Sequence, residues 1–157
     1  MSFFRRFVSV ALVVFAVGCA SVSSRPPASA TEPAVRAAMA SFINALNALD
    51  VDRMDAAFTD DITAFVPTAQ ADLAVGRAAV TKIFSTFADR SRTTAPRLNL
   101  APEDERVIAS STLAVVTFQI HDTASPLTRR RTFVFRREGD RWLISHFHAS
   151  DVMPPAK

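Results

Sequence analysis

Apolar side chains recur every three or four residues from Pro33 to Leu49: Val35, Met39, Phe42, Leu46 and Leu49 form one stripe. That spacing predicts an amphipathic helix, with Thr31 or Glu32 in the cap region and Pro33 in the first turn. Asp50 or Asp52 caps a short second helix running through Phe58, with Met54, Ala57 and Phe58 inward, and Asp60-Asp61 breaks it. Ile62 to Val66 reads as a short strand stopped by Pro67. After a loop over 67–75, Gly76 opens a third helix to Ala88, with Val80, Ile83, Phe84 and Phe87 on one face. The second half has strand character. Arg97–Pro102, Arg106–His121, Leu127–Arg137 and Arg141–Val152 are separated by turn signals at Pro102-Glu103-Asp104, Asp122 to Pro126, and Glu138-Gly139-Asp140. Three helices followed by an antiparallel meander predict an α+β domain.

The N-terminus is patterned differently. Residues 1–18 place Arg5-Arg6 before an apolar run, Phe7–Val17, that ends at Gly18-Cys19. This is the layout of an export signal, and the run is well short of the ~20 residues that a membrane-spanning helix needs. Ala16-Val17-Gly18-Cys19 resembles the bacterial lipobox, in which the cysteine becomes the lipidated first residue; Ala16 stands where leucine is usual. Ordinary cleavage after Ala20 is the alternative. Residues 19–32 are small, polar and Pro-bearing and read as a disordered tether. The folded domain is then 33–153, with 154–157 a tail. The expected location is the periplasm, free or as a membrane-anchored lipoprotein, with the lipid on Cys19 as the only contact to the membrane.

Composition narrows the chemistry. The chain carries 18 basic and 15 acidic residues, and loss of Arg5 and Arg6 with the leader leaves 16 against 15. The charge gives no nucleic-acid footprint, since Arg129-Arg130-Arg131 on a strand point alternately to opposite faces. A single cysteine excludes an intrachain disulfide, and three glycines exclude a glycine-rich phosphate cradle. No cofactor is indicated. Thirteen Phe and no Tyr imply a greasy interior with few hydroxyls.

The last strand gathers most of the candidate chemistry. On strict alternation Trp142, Ile144, His146, His148 and Ser150 share one face, and Leu143, Ser145, Phe147 and Ala149 the other. A β-bulge would swap them midway, so the sequence leaves open which face meets the interior. His146 and His148 are candidate general bases, assisted by Asp61; the competing reading is a hydrogen-bonded structural or interface pair. A zinc site would need His121 or a carboxylate as third ligand, and no metal is assigned. Arg131, on the strand face of Phe133 and Phe135, is a candidate anchor for a ligand carboxylate. Phe65, Phe87, Phe118, Phe133 and Trp142 are candidate walls of an apolar cavity.

Several segments resemble one superfamily. Ala57-Phe58-Thr59-Asp60-Asp61, Val75-Gly76-Arg77-Ala78-Ala79-Val80, and the ending Gly139, Trp142, His146, His148, Ser150 resemble the nuclear transport factor 2-like (SnoaL-like) superfamily over residues 33–152. The ending also resembles the association domain of calcium/calmodulin-dependent protein kinase II. The resemblance implies a cone: a curved antiparallel sheet wrapped around three N-terminal helices, with a pocket at the wide end. It implies no single activity, because members include isomerases, cyclases, dehydratases and assembly modules. Steroid-isomerase chemistry of the Tyr-dependent kind is excluded by the lack of Tyr. Three readings follow: an exported domain binding a small apolar or amphipathic molecule, an isomerase, dehydratase or cyclase using a pocket His or Asp, and a homo-oligomeric assembly module. An uncovered apolar sheet face points to a homodimer.

Overall fold

The structure is a computed structural model and describes residues 28–67, 73–95, 97–121 and 127–152. The elements in chain order are α1 (Ala28–Asn47), α2 (Val51–Asp55), β1 (Phe58–Phe65), β2 (Ala74–Val75), α3 (Arg77–Arg92), β3 (Glu103–Ala109), β4 (Leu113–His121), β5 (Thr128–Glu138) and β6 (Arg141–Val152). The strands form one open sheet in the order β2-β1-β6-β5-β4-β3. All neighbours are antiparallel except β1 and β6, which run parallel and bring the first strand against the last. Helices packed on one side of a bulged, bent, unclosed sheet give the α+β cone that the pattern predicts.

Helix α1 starts earlier than the apolar stripe suggests. It begins at Ala28, so residues 28–32 belong to the helix and not to the tether. Pro33 lies inside it, where its missing N–H forgoes a single bond to the carbonyl four residues back. The helix stops at Asn47, two residues before Leu49. Asp50 N–H donates to the Ala45 carbonyl at 2.9 Å and Leu49 N–H to the Leu46 carbonyl at 3.0 Å, with Leu49 at φ +55°. That is a Schellman stop built on a buried leucine instead of the usual glycine. Asp50 then caps α2, its carboxylate accepting from Arg53 N–H at 3.1 Å. Phe58 belongs to β1, not to α2. Gly76 precedes α3 at φ +87°, ψ 152°, a conformation open essentially to glycine alone, and donates its N–H to the Ile62 carbonyl at 2.7 Å.

Two strand readings change. Arg97–Pro102 does not join the sheet. Leu98 N–H donates to the Asn47 carbonyl, while the Asn47 side chain takes Leu100 N–H and returns a bond to its carbonyl, at 2.8–3.0 Å. The long strand Arg106–His121 is two strands, β3 and β4, joined at Ser110-Ser111-Thr112. The Ser110 hydroxyl accepts from Leu113 N–H at 3.1 Å, so a short side chain closes a hairpin with neither glycine nor proline. The Glu138-Gly139-Asp140 turn stands as read, with Gly139 at φ +60° between β5 and β6.

The core is aromatic. Phe133 on β5 meets Phe42 of α1, Phe118 of β4 and Phe147 of β6 at ring-centroid distances of 5.5, 5.6 and 4.7 Å. Phe84 of α3 closes the group against Phe42, Phe58 and Phe147. Each such ring removed from water is worth about 1.5–3 kcal/mol, and paired rings add to that. This cluster, Met39, Ile62, Val80, Val116 and Ile144 fix the side of the sheet on which the helices lie.

Candidate functional site

The bulge in β6 decides where the histidines point. Val134 pairs with His146 but Phe135 pairs with Ile144, which leaves Ser145 as an extra residue. The Ser145 hydroxyl donates to the Val134 carbonyl at 3.2 Å and holds the bulge. Alternation restarts there. Ile144 before it and Phe147 and Ala149 after it face the helices. His146, His148 and Ser150 face outward, on the side of the sheet away from the helices.

The outer face can be read across all six strands from the register. One row runs Val75, Thr63, His146, Val134, Val115, Ile108 from β2 to β3. The next runs Phe65, His148, Thr132, Thr117, Arg106. Beyond these lie Ser150, Arg130 and Gln119 at one end, and Leu143, Arg136 and Leu113 at the other. Val75, Ile108, Phe65 and Leu113 are 63, 77, 44 and 51% exposed, so this is an apolar surface open to solvent.

His146 and His148 sit near its middle. His146 Nδ1 is hydrogen-bonded to the Thr63 hydroxyl at 2.8 Å. The Phe65 ring packs edge-on against both imidazoles, at 6.0 and 6.1 Å. Partial burial, followed by the nearby His148, pushes the His146 pKa down and favours the neutral ring. Asp61, the expected acid partner, is engaged elsewhere on the same face. Arg136 grips it with two bonds of 2.8 and 2.9 Å and holds its carboxyl well below the usual range, and Arg136 also binds Glu138. Asp61 is therefore a charged surface partner of an arginine, and the carboxylate–histidine couple expected for proton transfer does not form. Among the described residues no three metal-ligating side chains come together.

The remaining candidates separate. Phe118 and Phe133 are buried parts of the ring cluster, and Trp142 packs on the edge of the core. Phe87 is half-exposed on α3. Arg131 lies on the inner sheet face, paired across the strands with Phe118 and Ala149. Its side chain is 15% exposed, and Asp151 approaches only to 3.7 Å. It donates to the carbonyls of Arg130 and Ser150, and burial lowers its pKa. A cleft of about 350 Å³ lies between α1 and the start of β3, lined by Met39, Ala40, Ile43, Asn44, Pro102 and Glu105; it contains none of the candidate residues. Cys19 and the leader lie outside the described residues, as does the side chain of His121.

Sequence reasoning missed Thr63, Arg136 and the valine row. Their roles depend on the parallel β1–β6 pairing and the bulge, and neither carries a signal in residue type.

A comparison with curated proteins returns no match. Solved structures share the fold. A nuclear transport factor 2-like protein of unknown function from Pseudomonas putida KT2440 is 21% identical, covers 76% of this chain and 84% of its own, and has a TM-score of 0.66. A protein from Thiobacillus denitrificans ATCC 25259, proposed to be a calcium/calmodulin-dependent protein kinase type II association domain, is 26% identical over 75% of this chain and 94% of its own, with a TM-score of 0.63. A protein from Novosphingobium aromaticivorans DSM 12444, proposed to be a scytalone dehydratase, is 16% identical over 78% and 84%, with a TM-score of 0.62. The family model described as SnoaL-like domain matches residues 35–155, nearly the whole folded region, and the chain belongs to that family.

Proposed function

We propose that the chain is a homodimer-forming SnoaL-like domain, joined through the outer sheet face, whose histidine pair serves the subunit contact. The carrying observation is the row Val75, Thr63, His146, Val134, Val115, Ile108, which crosses the sheet uncovered. Six strands at about 4.8 Å and four side-chain rows at about 7 Å make a face of roughly 600 Å² in flat projection. That approaches the ~800 Å² per partner of a standard interface once side-chain relief is counted. The face is also complementary to itself. One end holds Asp61 and Glu138 around Arg136, two carboxylates to one guanidinium, and the other holds Arg130, with Glu103 at the β3 edge of the same row. A two-fold axis lying in the face, parallel to the rows, sets the Asp61–Glu138 end of one copy against the Arg130 end of the other. The association-domain description of the Thiobacillus protein agrees with this reading.

Light scattering on the full chain tests it. A dimer is expected, and Val134→Arg, which puts like charges opposite each other near the axis, is expected to raise the dissociation constant by at least ~100-fold. A monomeric parent protein, or a folded Val134→Arg protein that dimerises as before, would sink the reading.

A second reading has one observation of its own. Arg131 is a largely buried cation on the inner face, with Asp151 at 3.7 Å as its one ion-pair partner among the described residues, and it continues the phenylalanine-lined wall. It suits the carboxylate of a small amphipathic molecule.

A further inference from the structure

We propose that the homodimer is gated by pH, His146 and His148 holding the two subunits together when neutral and driving them apart when protonated. The inference rests on the dimer reading and concerns the regulation of that same face.

Both imidazoles stand in the central rows, so a partner sheet would cover them first. The neighbours that face them carry no charge: Thr63 and Phe65 on β1, Thr132 and Val134 on β5, and Val75 on β2. Among the described residues the charged groups further out are already engaged or are themselves cations. Asp61 is taken by Arg136, and Asp60 by Arg77 at 2.8 Å. Arg136 and Glu138 are bound to each other, Asp151 faces the inner side beside Arg131, Arg130 and Arg106 are positive, and Glu103 stands beside Gln119 on β3, three strands away from the histidines. An imidazolium formed here would meet no carboxylate in its own subunit. It would meet the histidines of the second copy, because rows that lie along the axis face their own equivalents. Thr63 does not oppose protonation, since its hydroxyl can donate to the neutral ring or accept from the charged one. The opposition comes from desolvation and from four like charges gathered at the axis.

The sign follows directly. Covering the imidazoles at the contact disfavours their charged form, so the monomer binds more protons and acid favours it. The contact is at full strength above the ordinary imidazole value of about 6.5 and weakens as pH falls below it. A further lowering of about one pH unit on both copies of His146 would raise the dissociation constant roughly 100-fold at low pH.

The test is the dissociation constant of the full chain at about pH 8 and about pH 5, within the range over which imidazole changes charge. Far-UV circular dichroism checks folding at both. A dimer that weakens about 100-fold in acid while staying folded is expected, with the double variant His146→Gln, His148→Gln changing by less than about threefold whatever its starting affinity. A pH-independent parent dimer overturns the gate and leaves the dimer standing; a monomer at both pH values overturns both. Acid dissociation that the double variant shares also overturns the gate. Where the double variant fails to fold, the imidazole C–H proton resonance of His146 decides on the parent protein. Its titration midpoint should fall when protein concentration is raised above the dissociation constant, and an unchanged midpoint refutes the proposal.

Discussion

At the scale of single residues, Arg131 shows how burial converts an ordinary arginine into a candidate anchor. Arg77–Asp60 and Arg136–Asp61 close to 2.8 Å, whereas the largely buried Arg131 has Asp151 at 3.7 Å. A desolvated cation with a distant partner gains from an incoming anion, and a hydrogen bond to a charged group is worth about 1.5–3 kcal/mol. Decanoate is therefore expected to bind the full chain about 10–100-fold more tightly than decanol, and Arg131→Met to erase the difference. Native mass spectrometry reads both, and equal retention of acid and alcohol by the parent protein would remove Arg131 from the reading.

At the scale of elements, one residue sets the meaning of a strand. Ser145 lets β6 present Ile144 and Phe147 to the same core although they are three residues apart. Deleting it would restore strict alternation and force either the phenylalanine outward or the histidine inward, because a one-residue shift flips every later side chain. The expected loss is more than about 3 kcal/mol, against about 0.5–1.5 kcal/mol for Ser145→Ala, which keeps the bulge and removes one hydrogen bond. Urea unfolding of the two variants measures the difference, and equal losses would mean that the bulge does not set the two faces. The hairpin at Ser110 teaches a related lesson. A serine hydroxyl replaced the glycine or proline that marks most turns, and the apolar run on either side of it reads as continuous.

At the scale of the whole molecule, the parallel pairing of β1 with β6 joins residues some eighty positions apart and assembles the outer face from both halves of the chain. No helix among the described residues is long and apolar enough to cross a membrane. For a lipid anchor, Cys19→Ala is expected to move the protein from the membrane to the soluble fraction, and a variant that still sediments with membranes would refute it.

The three helices, the α+β class, the opening of α3 at Gly76 and the β5–β6 turn were legible in the sequence, because periodicity and turn chemistry are local properties. The aromatic core was legible as well, since nine phenylalanines and no tyrosine fall within residues 33–153. The split between β3 and β4 and the detachment of residues 97–102 from the sheet depend on hydrogen bonds made with distant segments or by single side chains. The orientation of His146 and His148 belongs to tertiary structure alone. It follows from a bulge whose only trace in the sequence is an ordinary serine, and from a register that exists once β6 lies between β5 and β1 and the phenylalanines of both halves have chosen one side of the sheet.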